Sequence, residues 1–349
     1  MAISAQSRAR GALLGLAIGD ALGMPTQYMP RAIVAKRYGI LDRFEPAPED
    51  NPISRGMKAG CVTDDTDQAV ILGELLVEGG GYVDPRRFAD ELLAWETRMI
   101  AAGSADLLGP STRKALTLIA DGMPTDETGK TGATNGAAMR VAPVGIAFPA
   151  RPVEGLVDAV FQSGHVTHNT TIGLAGASAV AAAVSVAIDG ASVSEALQAA
   201  IEGAQHGARR GYYFAGGDIA ARIGWAIGLV RGKTQSEALD LIYDIVGTGV
   251  ATQEAVPAAM AILSLVPEDP WLVCRLAASL GGDCDTVAAI AGAVAGACHG
   301  IEGFPPAVIA DLKTANPSLD LEGLADRLLS LRGKASILPP SAHTGVRSA

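Results

Sequence analysis

The sequence predicts an all-α protein folded as a single helical domain. Hydrophobic residues make up 49% of the 349-residue chain, aromatics only 4%, and 42 positions are glycine. An interior supplied mainly by Ala, Gly and Val lets helices approach closely, whereas the strands of a β-sandwich favour aromatic and β-branched residues. No stretch alternates apolar and polar residues as a half-buried strand would. Length alone would suggest two domains, but no linker, composition shift or internal repeat divides the chain. One domain is expected over residues 1–333. The polar segment 334–349, which contains Pro339-Pro340, is expected to be a poorly ordered tail.

The first element is an apolar helix over Gly11–Gly23, with glycines where neighbours come close. Residues 39–60 carry Pro46, Pro48, Pro52, Gly56 and Gly60 and read as a loop. Thr63 to Val77 reads as a helix opened by acids, the sign favoured at the positive end of the helix dipole. Gly79-Gly80-Gly81 ends it, and Asp84-Pro85 starts the next helix, with Phe88, Leu92, Leu93 and Trp95 on one side. A second loop runs from about residue 121 to 135. Helices are then expected over 154–163, 171–188, 192–206, 217–231, 235–247, 253–265, 270–280 and 285–299.

Composition excludes several functions. A net charge of −10 provides no basic stripe for nucleic acid and no attraction to an anionic membrane surface. Cys61, Cys274, Cys284 and Cys298 form no CxxC pair, so neither a zinc knuckle nor a disulfide framework is indicated, and free thiols fit a cytoplasmic location. Met1–Arg10 contains no apolar signal region. The apolar run Ile172–Ile188 contains Ser178 and Ser185 and ends at Asp189. It is shorter than the roughly 20 residues a membrane span needs and reads as a core helix.

Two acidic motifs stand out, Thr63-Asp64-Asp65-Thr66-Asp67 and Asp283-Cys284-Asp285-Thr286, each opening an apolar helix. Helix capping is the ordinary reading of either alone, because Ser, Thr and Asp are preferred there. Taken together, flanked by glycines, they suggest a cage for hard cations. Mg²⁺ and Mn²⁺ want oxygen ligands, and packed carboxylates repel unless cations neutralise them.

These motifs, with Gly11-Ala-Leu-Leu-Gly-Leu-Ala-Ile-Gly-Asp20-Ala-Leu-Gly23 and Ala288-Ala-Ile-Ala-Gly-Ala-Val-Ala-Gly296, resemble the ADP-ribosylglycohydrolase family. The similarity runs in order through roughly residues 8–300. It implies an orthogonal all-α bundle and a binuclear Mg²⁺ or Mn²⁺ centre. By motif position the metal ligands are Thr63, Asp64, Asp65, Asp283, Asp285 (as the bridging ligand) and Thr286. Asp20, an acid within an apolar helix, is expected to have a supporting role, and Cys284 to serve packing.

Gly132-Ala-Thr-Asn-Gly-Ala-Ala-Met-Arg140 is a small-residue loop whose default reading is an ordinary turn. By resemblance, Asn135 and Gly136 line the phosphates and ribose of a bound ADP-ribose. Gly132 and Ala133 stand where ADP-ribose binders of the family often carry Ser and Tyr. His165 and His168 make no convincing zinc pair; His168 is the family-like ligand-facing histidine, and His165 is structural. Asp106 resembles an aspartate near the reacting ribose, with a helix cap as the alternative. Gln27 occupies a place where several members carry glutamate near the scissile bond. It can hydrogen-bond but cannot ionise.

The expected reaction is metal-dependent hydrolysis at ribose C1 of an ADP-ribosylated protein side chain, with Asp64, or else Asp285, orienting the water. A small N-riboside or ribosylated metabolite is the alternative substrate. A non-catalytic ligand-binding or structural protein of the same fold is the alternative of another class. A phosphotransferase ranks last, because Arg140 alone looks placed to clamp a phosphate. Oligomeric state is not specified by the sequence.

Overall fold

The computed structural model describes residues 3–104 and 108–339. Among these residues there is no strand, only two isolated bridges, Thr134 with Ala251 and Thr170 with Tyr212. The longer elements are α1 (Ala5–Gly23), α3 (Asp64–Glu78), α4 (Pro85–Ala101), α5 (Pro110–Ala120), α9 (Val153–His168), α10 (Thr171–Ile188), α11 (Val193–Gly207), α12 (Ile219–Val230), α14 (Thr252–Leu265), α15 (Pro270–Ala278), α16 (Cys284–His299), α17 (Pro306–Ala315) and α18 (Leu321–Leu331). Shorter helices are α2 (Arg31–Arg37), α6 (Thr125–Thr128), α7 (Gly136–Met139), α8 (Ala142–Ala147) and α13 (Gln235–Leu241).

The centre is the antiparallel pair α1–α16. Its register is set by small residues: Gly11 faces Gly296, Gly15 faces Gly292, Gly19 faces Ala288 and Gly23 faces Asp285. A methyl group at Gly11, Gly15 or Gly19 would collide with the backbone carbonyl oxygen opposite. Glycine is needed here for space, not for its conformational freedom. The same close approach brings the C-terminal end of α1 beside the N-terminal end of α16, where the acids stand. Helices α15 and α18 pack against α1, and α10 lies beside α16. The apolar α10 is long enough by length and composition to cross a membrane, but 89% of it is buried within the fold. It is a core helix, as its serines suggested.

Several helices stand where the sequence pattern showed none: α2, α5, α6 (within the loop expected over 121–135), α7, α8, α17 and α18. Pro110, Pro143 and Pro306 occupy the first turns of α5, α8 and α17. Proline there loses only an N–H that has no helical partner anyway, so it starts a helix instead of breaking one. The helix expected over 235–247 changes to a π-turn at Ile242–Val246 and stops at Gly247, whose φ is +89°. The start of the expected tail, residues 334–339, runs along the α3–α4 turn: Ser336 N–H donates to Gly80 O at 3.0 Å, and Ala335 and Ile337 pack on the core.

Gly19→Ala should destabilise the protein by about 2–3 kcal/mol, because backbone on both helices has to move to admit the methyl. Gly155→Ala, at an exposed position of α9 with open space around it, should stabilise by up to about 1 kcal/mol. Urea unfolding of the two variants measures both effects, and equal midpoints would contradict the packing account.

Candidate active site

The N-termini of α3 and α16 converge at the end of α1. Asp20, wholly buried on α1, joins them. Its carboxylate accepts from Thr63 N–H at 3.0 Å, Thr66 N–H at 3.1 Å, Thr63 Oγ1 at 2.8 Å and Thr66 Oγ1 at 2.5 Å. It therefore caps α3 from another helix, which is the supporting role expected of it. Burial still raises its pKa to about 6, the hydrogen bonds offsetting only part of the desolvation.

Asp65 lies beneath, 1% exposed. Its Oδ2 is 3.2 Å from Thr63 Oγ1 and 3.3 Å from Thr286 Oγ1, while its buried Oδ1 has no hydrogen-bond partner. Burial, and then the neighbouring Asp20, Asp64 and Asp283, hold this carboxyl well above the usual carboxylate range. Asp64 accepts from Gln68 Nε2 at 2.7 Å, and Asp283 accepts from Asn135 Nδ2 at 2.5 Å. Asp283 stands at the N-cap position of α16 but makes no side-chain capping bond, so capping does not explain it. Burial raises it to about 6. Asp285 is 2% exposed and sits against Gly23, whose missing side chain admits its backbone. Asp67 turns away and accepts from Trp95 Nε1 at 2.7 Å.

The sequence-predicted set Thr63, Asp64, Asp65, Asp283, Asp285 and Thr286 thus gathers at one place. Among the described residues no three Asp, Glu, His or Cys groups converge at ligating distance; Asp65 is turned onto threonine hydroxyls, and Asp64 and Asp283 onto side-chain amides. By chemistry the set still fits hard divalent cations. The donors are all oxygens, one carboxylate oxygen is buried without a partner, and mutual repulsion is a cost that a cation removes.

A cavity of about 400 Å³ opens over this cluster, and its lining includes Asp64, Asp283, Asp285 and Thr286 together with Gln27, Thr134, Asn135 and Gly136. Gln27 is 3% exposed, and its Nε2 has no hydrogen-bond partner. Its turn is clamped from the 39–60 loop. Asn51 Nδ2 donates to Gln27 O at 2.9 Å, Ser54 Oγ donates to Met24 O at 2.7 Å, and Tyr28 N–H donates to Gly282 O at 2.6 Å. Tyr28 is the one non-glycine residue with positive φ among those described, +58°, a strained conformation at the lip of the site. Burial, with Asp283, Asp285 and Asp64 nearby, pushes its phenol pKa up.

Two expectations need correction. His168 does not face the cavity: it is 0% exposed, behind Gly136, and its Nε2 touches Thr134 Oγ1 at 3.0 Å. Arg140 is not a phosphate clamp. It is 1% exposed, donates to Gln68 Oε1 and Thr167 Oγ1, and stacks over Phe88. Asn135 lines the cavity, yet its amide is spent on holding Asp283. Asp106 lies outside the described residues.

The sequence reading missed Tyr28, Arg113 at the cavity wall, and the strut 248–252. The strut ties the loop before α16 to the small-residue loop: Asp283 N–H donates to Thr248 O at 2.6 Å and Asn135 N–H to Val250 O at 2.9 Å. Backbone pairing of this kind leaves no residue pattern to find. Arg113 did have a signal, a cation following the small-residue run Gly109–Thr112.

The fold is that of an all-helical class of hydrolases. It superimposes on a solved ADP-ribosylglycohydrolase-related protein complex with a TM-score of 0.63 and 26% identity, over 94% of this chain and 99% of that one. The ADP-ribosylglycohydrolase family model matches residues 1–337, and the chain belongs to that family. It is 39% identical to the uncharacterized protein YegU of Escherichia coli (strain K12), over 93% of this chain and 97% of YegU. It is 25% identical to ADP-ribosyl-[dinitrogen reductase] glycohydrolase of Rhodospirillum rubrum, over 95% of this chain and 98% of that enzyme.

Asp20→Asn should cost roughly 2 kcal/mol or more, since a charged acceptor of several buried donors is lost. Chemical denaturation of the variant checks this; wild-type stability would remove Asp20 from the role of an α3 cap.

Proposed function

We propose that the chain hydrolyses the glycosidic bond at ribose C1 of an ADP-ribosylated protein side chain. Thr63, Asp64, Asp65, Asp283, Asp285 and Thr286 would hold two divalent cations, Mg²⁺ or Mn²⁺. The observation that carries this reading is the buried, mutually repelling carboxylate cluster at two helix N-termini, opening into a polar cavity. When bound, such ions supply Lewis-acid anchoring of the ribose hydroxyls and a more acidic water. The protein's own groups do the rest. Asp64, in the cavity wall and steadied by Gln68, accepts a proton from the attacking water and orients it toward C1. Asp285, from the opposite helix, is the second candidate for that task. Asn135 and Thr286 hold Asp283 and Asp65 in place through their hydrogen bonds, where the two carboxylates would serve as ligands.

A small N-riboside is the second reading, and one observation favours a neutral leaving group, such as it or an ADP-ribosyl-serine carries, over a guanidinium. Gln27 brings an unpaired amide donor to the cavity, and a neutral nitrogen or oxygen leaving group is an acceptor that would satisfy it. A guanidinium offers only donors. Comparing ADP-ribosyl-arginine, an ADP-ribosyl-serine peptide and simple N-ribosides under one set of conditions separates the two readings.

Asp64→Ala should abolish turnover and weaken Mn²⁺ binding together, and EDTA should remove wild-type activity, which Mg²⁺ or Mn²⁺ restores. Product release followed chromatographically, with calorimetric Mn²⁺ titration, measures both. Turnover that survives both Asp64→Ala and EDTA would defeat the proposal.

A further inference from the structure

His168 and Arg140 belong to one buried hydrogen-bonded chain that ends in the cavity wall. Arg140 Nη2 donates to Thr167 Oγ1 at 2.5 Å; Thr167 Oγ1 lies 2.8 Å from His168 Nδ1; His168 Nε2 lies 3.0 Å from Thr134 Oγ1. Thr134 itself is half-buried and lines the cavity. The direction of each bond can be deduced from the one end that has no choice. A guanidinium only donates, so Thr167 Oγ1 accepts from Arg140 and has a single proton to place. Its two acceptor neighbours are His168 Nδ1 at 2.8 Å and Gly164 O at 3.5 Å. The proton goes to the nearer, since 3.5 Å is barely a hydrogen bond.

His168 Nδ1 is therefore an acceptor. The ring is neutral, because burial and the adjacent Arg140 cation both drive its pKa well below the ordinary histidine value. A neutral imidazole carries one proton, here on Nε2. That N–H donates to Thr134 Oγ1, which leaves the Thr134 hydroxyl proton to point elsewhere. The other face of Thr134 is the cavity.

We infer that the Arg140–Thr167–His168 relay fixes Thr134 as a hydrogen-bond donor to an oxygen of the sugar–phosphate part of the substrate. Thr134 is a binding and specificity residue; His168, Thr167 and Arg140 are positioning residues. Phosphate and ring oxygens only accept hydrogen bonds, and in a cavity lined also by Asp64, Asp283 and Asp285 the relay supplies a donor for them. Arg140 thereby influences substrate binding from a buried position without presenting its charge to the cavity. The inference rests on the proposed function in taking this cavity as the place where an ADP-ribosyl group sits.

Two separate measurements test it. In ¹⁵N-histidine NMR of the ligand-free protein at neutral pH, His168 is expected as the neutral Nε2–H tautomer; an Nδ1–H tautomer, or an imidazolium, would overturn the relay. In the second, ADP-ribose is titrated calorimetrically in Mg²⁺ buffer. Thr134→Ser should bind like wild type, and Thr134→Val should bind about tenfold more weakly. On a turnover substrate the same loss should fall on KM, with kcat nearly unchanged. The Ser variant and matched circular dichroism guard against a folding defect. Wild-type affinity in Thr134→Val overturns the donor assignment. A wild-type protein that binds no ADP-ribose overturns the substrate reading instead, and that outcome is independent of the tautomer result.

Discussion

Helices α1 and α16 approach to backbone contact because Gly11, Gly15 and Gly19 face the carbonyls of Gly296, Gly292 and Ala288, and the candidate site depends on that approach. At the end of the same seam, Gly23 admits the backbone of Asp285. One turn earlier on α1, Asp20 reaches across to cap α3 and so fixes the frame in which Asp64 and Asp65 stand. A side chain at any of these glycines would move one acidic motif relative to the other. The sites that hold the acids are thus placed by residues that carry no chemistry of their own.

The second constraint is electrostatic. Asp20, Asp65 and Asp283 are all raised by burial, and Asp65 additionally by its acidic neighbours. Taking charge out of water costs several kcal/mol per ion unless it is paired. Helix N-termini and threonine hydroxyls offset part of that cost. Arg140 adds a buried cation near Asp64, reached through Gln68 and lowered by its own burial to about 10. This unfavourable cluster beside the cavity is the feature on which the proposed cation site rests.

The helical class was readable because Ala- and Gly-rich runs with no period-two alternation leave little else to build. The acidic motifs were readable because both lie at helix starts, where a side chain's direction follows from its position. What the sequence did not show depends on long-range geometry. Arg140 follows α7 and His168 ends α9, both next to the cavity loop in space, and sequence alone cannot say which side of that loop they occupy. They lie behind it, with Thr134 and Gly136 between His168 and the cavity. Asn135 looked like a ligand contact, and its amide is committed to Asp283 from another part of the chain. The strut 248–252 works through backbone groups, which any residue type supplies. Prolines at the starts of α5 and α17 resemble breakers until the following turn is seen.

Anomalous diffraction from crystals grown with Mn²⁺ shows whether the buried carboxylates at the meeting of α3 and α16 form the proposed binuclear divalent-cation site. Two peaks are expected between the two helix N-termini, within reach of Asp64, Asp65, Asp283 and Asp285, with the threonine and asparagine hydrogen bonds to those acids exchanged for the ions. Crystals that hold Mn²⁺ elsewhere, with no peak at this cluster and Asp65 still turned onto Thr63 and Thr286, would contradict that proposal.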